Sequence, residues 1–187
     1  MKCVDYKKDF FSEEESETIL AELAELDYTS NLKTIDGEDR TIPRMMGYFS
    51  EDGVDYPYAG LVLTGSVWTD KLKEVRDKLE EETGRKFNGV LINVYRDGMD
   101  TIGWHTDSET QLGKDPYIAT LSFGSERRFC FREIDNRTNK KELVVGSGSL
   151  LAMKDDCQRV WEHKIPRDTA VKATRYSLTF RNCDYGN

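Results

Sequence analysis

The sequence predicts an α+β domain, with two helices packed on a β-sandwich or jelly roll. Three observations predict it. Helix-type periodicity is confined to two segments in the first half of the chain. From residue 87 onward, short runs rich in β-branched and aromatic residues alternate with turn signals. The 187 residues contain no repeat, low-complexity tract or long linker, so they fill one domain and not two.

The first helix is expected over residues 12–27. Ser12 followed by Glu15 forms a capping box, and Ile19, Leu23 and Leu26 share one face. The polar stretch "NLKTIDGEDRTIPR" then reads as a loop, punctuated by Gly37 and Pro43. A second helix is expected over residues 66–83. Trp68, Leu72, Val75 and Leu79 make its apolar stripe, and Gly84 can close its C-terminus. The strand candidates follow: "FNGVLINVY", "YIATLSF", "RFCFREI", "ELVV", "GSLLAMK" and "RYSLTFR", separated by turns such as "RDGMD", "DNRTNKK" and "VGSG".

Composition narrows the function classes. Hydrophobic residues are 37% and charged residues 33%, a balance that supports a folded globular chain. No apolar run approaches the roughly 18 residues of a membrane span. The opening "MKCVDYKKDFFSEEESE" lacks the apolar stretch of a signal peptide. Cys3, Cys130, Cys157 and Cys183 are scattered, with no Cys-x-x-Cys pair. That argues against a cysteine zinc site and a secreted disulfide framework, and an intracellular location is expected, cytoplasmic or, in a eukaryote, nuclear. The formal charge of −8 opposes extended, non-specific binding to duplex DNA, which is driven by cations on phosphates.

The stretch "GWHTDSET" holds one of only two histidines. His105 and Asp107 stand at i and i+2, so an extended backbone puts both on one side. The other histidine is His163, in "RVWEHKIP". Two imidazoles and one carboxylate are the ligand set of non-haem Fe(II) oxygenases, which leaves coordination positions open. A lone His-x-Asp is common, and a histidine is more often structural than a ligand, so the motif needs support from elsewhere. "RYSLTFR" supplies it. Arg175 and Arg181 lie an even number of residues apart and face the same way from one strand, with Thr179 on that face. Two arginines aimed into a core are costly unless they meet anions, and a small dicarboxylate would satisfy both. The alternative is an edge strand with two exposed arginines. Asn93 and Tyr95, in "LINVYRDG", repeat the i, i+2 logic just upstream of the proposed ligands.

Taken in order, "NVYRDGMDTIGWHTDSE", "IATLSFGSERRFCFR", "GSLLAMK", "WEHKIP" and "RYSLTFR" closely resemble the AlkB-like family of Fe(II)- and 2-oxoglutarate-dependent dioxygenases, the nucleic-acid alkylation-repair demethylases. The resemblance extends over "DYKKDFFSEEESETILAEL" and "IPRMMGYFS…YPYAG", nearly the whole chain. It implies a double-stranded β-helix, or jelly roll, with the N-terminal helices packed outside. It further implies a single domain over 1–187, with helices and a substrate-lid region in 1–86 and the jelly-roll catalytic core in 87–187. His105, Asp107 and His163 would hold Fe(II). Asn93, Tyr95, Arg175, Thr179 and Arg181 would hold the co-substrate 2-oxoglutarate, with Arg175 on its distal carboxylate and Arg181 nearer the metal. Ser177 departs from the asparagine common at that place in the family. The implied reaction consumes O2, hydroxylates an N-methyl carbon of a base such as 1-methyladenine or 3-methylcytosine, and releases formaldehyde and succinate.

On the substrate side the resemblance points to Arg44, Tyr56, Tyr58 and Glu109, a carboxylate able to accept from an exocyclic amino group. Trp104 alternates away from the metal and is expected to pack. The stretch "KTIDGEDRTI" carries no large aromatic wedge, and with the acidic charge this favours single-stranded DNA or RNA over duplex. Lys2, Lys7, Lys8, Arg127 and Arg128 are candidate local cations. A monomer that does not touch membranes is expected. The competing readings are a 2-oxoglutarate-dependent hydroxylase or demethylase of a protein or small molecule, and a catalytically silent jelly-roll binding module.

Overall fold

A computed structural model describes residues 1–35 and 38–186, with no side-chain description for 31–35 and 39. Its elements, in chain order, are β1 (Val4–Lys7), α1 (Glu13–Glu25), β2 (Thr29–Ile35), β3 (Glu38–Ser50), β4 (Tyr56–Tyr58), β5 (Leu61–Leu63), β6 (Gly65–Val67) and α2 (Asp70–Thr83). There follow β7 (Gly89–Tyr95), β8 (Ile102–His105), β9 (Ile118–Gly124), β10 (Arg127–Glu133), β11 (Lys140–Val145), β12 (Ser149–Met153), α3 (Cys157–Val160), β13 (Trp161–Ile165) and β14 (Arg175–Arg181).

The strands form a large sheet in the order β1-β12-β9-β14-β7-β3-β2, with β6 added beside β3, and a small sheet in the order β11-β10-β13-β8. A hairpin of β4 and β5 stands apart. Alternation along β7 and β14 explains how the layers assemble. Val90, Ile92, Val94, Leu178 and Phe180 join a core with Ile19 and Leu23 of α1 and with Leu72, Val75 and Leu79 of α2. Their neighbours Leu91 and Tyr95 join a second core with Phe129, Phe131, Trp161 and Ile165 of the small sheet. The large sheet is therefore covered by helices on one face and by the small sheet on the other, the arrangement of a jelly roll with external helices.

Local signals account for the helix ends. Ser12 Oγ accepts from the Glu15 amide and the Glu15 carboxylate accepts from the Ser12 amide, completing the expected capping box. The second helix starts later than expected. Gly65–Val67 pairs parallel with β3, and Thr69 caps α2 through a 3.2 Å bond from the Leu72 amide. Trp68 thus lies just before the helix, still buried, stacked on Phe180 with ring centroids 5.9 Å apart. Gly84 ends α2 at φ 64°, a left-handed conformation suited to glycine.

The expected loop over 31–44 is the main correction. Its described residues belong to the antiparallel ribbon of β2 and β3, and β3 continues into the large sheet beside β7. Gly37, the expected punctuation, lies outside the described residues. Strands β1, β3 and β6 also take the large sheet into the first 86 residues, alongside the two helices.

The turn between β7 and β8 is fixed by a close approach. The Gly98 amide donates to the Val171 carbonyl at 3.0 Å, and the Gly98 carbonyl accepts from Asp168 at 2.8 Å. A Cβ on Gly98 would sit 1.6 Å from the Asp168 carbonyl oxygen. Gly98→Ala must displace backbone, and forced overpacking costs about 1–3 kcal/mol. Urea denaturation should show a loss of that size; a midpoint equal to that of the unsubstituted protein would refute it.

Candidate functional site

The small sheet brings the two histidines together. His105 ends β8, His163 is central in β13, and the two are register partners with ring centroids 4.2 Å apart. Asp107 follows β8, buried, with Oδ2 3.6 Å from His163 Nε2 and Oδ1 4.0 Å from His105 Nε2. The three ligand atoms lie within 4.8 Å of one another. One ion can reach all three at such spacing.

Neighbouring groups settle the tautomer of His105. Its Nδ1 lies 2.9 Å from the Gly103 carbonyl, which can only accept. Nδ1 therefore carries the proton, and the Nε2 lone pair faces Asp107. Burial lowers the pKa of both histidines. That of His163 falls to about 3, through burial first and the adjacent His105 second. Both rings are neutral at physiological pH, the form that binds metal. Burial alone would raise the Asp107 pKa, but it is lowered, chiefly by the Arg181 guanidinium, and the carboxylate stays ionised. Arg181 Nη2 stands 3.5 Å from Asp107 Oδ1. The donor set thus fits a divalent ion in residue type, protonation and spacing.

Two residues that sequence reasoning missed hold this triad. The buried Gln158 accepts the Asp107 amide at 2.9 Å and donates to Met153 Sδ at 3.4 Å. Phe129 stacks on the His163 ring at 5.3 Å with an interplanar angle of 13°. Phe129 was recognisable as an inward strand residue, but nothing local in "CQRV" marks Gln158 as a partner of a residue 51 positions away.

A cavity opens from the triad between the sheets, walled by Asn93, Tyr95, Thr179 and Arg181. Arg175, Thr179 and Arg181 all lie on the inward face of β14, as the parity predicts, and the guanidiniums are 0% and 1% exposed by residue. Arg175 lies beneath the Tyr95 ring, its guanidinium carbon 5.3 Å from the centroid, and donates from Nη2 to Ser122 Oγ at 2.9 Å. Its Nε and Nη1 have no partner among the described residues. Burial lowers the Arg175 pKa to about 10, which still leaves it charged. A buried guanidinium with two unused donors is a demand for an anion, since unpaired burial costs several kcal/mol. Arg175 lies behind Tyr95, which walls the cavity, and a carboxylate that reached it there would meet that demand.

Outside the triad a more open cleft is lined by Arg40, Arg44, Tyr58, Leu61, Trp104 and Glu109, among others. Arg44 is buried and donates from Nε to Asn93 Oδ1 at 2.7 Å and from Nη1 to the Thr101 carbonyl at 3.2 Å, tying the cleft to the inner cavity. Glu109 lies 3.8 Å from Arg181, burial raises its pKa, and its buried Oε2 has no hydrogen-bond partner among the described residues. Tyr56 sits deeper than the others. It is 0% exposed, stacks on Tyr48 at 4.3 Å, and its hydroxyl accepts from Arg181 at 2.6 Å. In this conformation Tyr56 braces Arg181 beneath the cleft. Trp104 faces away from the triad, under the cations of Arg132 and Lys164.

One expected cation is misplaced. Arg127 is 2% exposed and donates to the carbonyls of Asp97, Asp100 and Pro166, so it fastens the turn before β8 to the chain after β13. Lys7 is paired with Glu82 of α2 at 3.0 Å, whereas Arg128 is on the surface.

Comparison with known proteins agrees with this geometry. The family model described as the 2OG-Fe(II) oxygenase superfamily matches residues 4–181. A Mus musculus protein named DNA oxidative demethylase ALKBH2 is 37% identical over 182 residues, covering 91% of this chain and 76% of the relative. A Homo sapiens protein named alpha-ketoglutarate-dependent dioxygenase alkB homolog 3 is 31% identical, covering 92% of this chain and 63% of the relative. The solved structure of OsALKBH1 superposes with a TM-score of 0.64 at 18% identity, covering 96% of this chain and 98% of that one, which shows a shared fold. The chain belongs to the AlkB-like branch of the 2OG-Fe(II) oxygenase superfamily.

Proposed function

We propose that this protein is an Fe(II)- and 2-oxoglutarate-dependent dioxygenase that removes N-methyl groups from bases in DNA or RNA. One observation carries the reading: two imidazoles and a carboxylate converge on one point, in a site backed by a buried arginine, Arg175, whose Nε and Nη1 have no hydrogen-bond partner among the described residues. The name of the ALKBH2 relative, a DNA oxidative demethylase, supports a nucleic-acid substrate, and that of the alkB homolog 3 relative supports the co-substrate.

His105, Asp107 and His163 would hold the iron. Arg175, with Asn93, Tyr95 and Thr179, would hold 2-oxoglutarate, and Arg181 would serve the end nearer the metal. With O2, the bound iron and 2-oxoglutarate supply the oxidation that turns an N-methyl carbon into a hydroxymethyl group, which leaves as formaldehyde. The protein's part is placement and exclusion. Arg181 neutralises Asp107 and Glu109 from one side, so the carboxylates do not repel a substrate carboxylate. Phe129 and Gln158 fix the orientation of His163 and Asp107. Tyr58 walls the base site, Glu109 accepts from the exocyclic amino group, and Arg44 links base binding to Asn93. Tyr56 supports the site through Arg181.

The acidic chain opposes tight binding to duplex phosphates and so favours single-stranded DNA or RNA; the working form is a monomer over residues 1–187 in an intracellular setting. Among the described residues no helix is long and apolar enough to cross a membrane. The net charge of −8 favours a second reading, oxidation of a protein or small molecule by the same site.

Incubation with Fe(II), 2-oxoglutarate and oligonucleotides carrying 1-methyladenine or 3-methylcytosine should yield unmethylated base, formaldehyde and succinate in equal amounts. Succinate without base repair would move the assignment to the second reading; no succinate and no iron binding would refute both. His105→Ala and Asp107→Ala should each abolish succinate formation while the melting curve stays cooperative. Arg181→Met should cost the ligand-free protein about 3 kcal/mol of stability, because it leaves a buried carboxylate uncompensated. An unchanged urea midpoint would show that Arg181 does not neutralise Asp107.

A further inference from the structure

We infer that the outer face of the small sheet is a second contact surface, a track for the phosphate backbone of the strand whose base enters the cleft. The inference rests on the nucleic-acid reading above. The register of β10 with β11 and β13 sets which side chains point outward. From those strands Arg128, Arg132, Lys140 and Lys164 face out, against only Glu142 and Glu162. On a chain of net charge −8, this face reverses the sign.

Pairing sorts the four cations. Arg132 is neutralised by Glu162, with Nε 3.0 Å from Oε2, and Arg128 is shared loosely between Glu142 at 3.7 Å and Asp168 at 3.8 Å. Among the described residues Lys140 and Lys164 have no carboxylate partner. They are the cations free to take phosphate.

Their placement ties the face to the site. Lys140, Lys141, Lys164, Arg128 and Trp104 line one groove together with Glu142. Trp104 also lines the cleft outside the triad, so it forms the ridge between the two. Lys164 Nζ lies 4.6 Å from the Trp104 centroid and the Arg132 guanidinium 4.4 Å, which holds the ring in place at that crossing. A strand that leaves the cleft over Trp104 meets Lys164 next; that row ends across Cys130 at Glu142, and Lys140 stands in the adjacent row, beyond Arg132. The charge of the face suits a polyanion and not an acidic partner protein's apolar surface, and a strand of several nucleotides spans it where a single nucleotide does not.

Lys140→Gln combined with Lys164→Gln tests this. Two substrates are compared, a single strand of about 15 nucleotides and a trinucleotide, each carrying one 1-methyladenine. The double substitution should raise the ratio of KM for the long strand to KM for the trinucleotide several-fold. Binding of the unmethylated long strand, followed by fluorescence anisotropy between about 50 and 200 mM salt, should lose about 1.4 from its log–log salt slope, near 0.7 for each lysine. An unchanged KM ratio and an unchanged salt slope, with both substrates still turned over, would overturn the track and leave the demethylase reading intact. If the unsubstituted protein turns over neither substrate and binds neither strand, the demethylase reading falls and the track falls with it.

Discussion

The constraint on which the rest of the site depends is the burial of positive charge on one face of β14. Arg175 and Arg181 both point inward between the sheets, and the fold must compensate each guanidinium. Arg181 is met by Asp107, Glu109 and the Tyr56 hydroxyl, and together these hold its pKa up against burial. Among the described residues Arg175 is met by the Ser122 hydroxyl and by Tyr95, with no carboxylate beside it. One arginine is balanced by the protein itself, while the other keeps Nε and Nη1 without a partner among the described residues.

That asymmetry divides the labour of the site. The carboxylate that balances Arg181 is the same one that stands beside the two histidines, so charge compensation and the proposed metal site share an atom set. Tyr56 belongs to this inner structure, whereas Tyr58 and Glu109 border the open cleft. Arg127 contributes from further away, by clamping three carbonyls at the ends of the segments that carry His105 and His163.

Much of this was legible because strands obey parity. Arg175, Thr179 and Arg181 share a face, and so do Asn93 and Tyr95, and no tertiary knowledge is needed to see it. The Ser12–Glu15 capping box was legible for a different reason, since its whole geometry lies within four residues. The ribbon of β2 and β3 was not, because "NLKTI" and "EDRTI" lack the apolar alternation that marks a strand, and backbone pairing alone leaves no trace in residue type. Arg127 and Arg128 were both read as surface cations. Phe129 and Phe131 point inward, so parity already assigned Arg127 to the interior and Arg128 to the surface. The Gln158–Asp107 bond joins residues from distant segments, and only the assembled fold reveals it.

The central claim is that the unused donors of Arg175 exist for the co-substrate. Calorimetric titration of 2-oxoglutarate into Mn(II)-loaded protein tests it most directly, because binding is read without turnover. The account predicts one molecule bound per chain, and an affinity at least about 30-fold weaker in Arg175→Met, the equivalent of about 2 kcal/mol for truncating a buried charge partner. Equal affinity in the two proteins would contradict it.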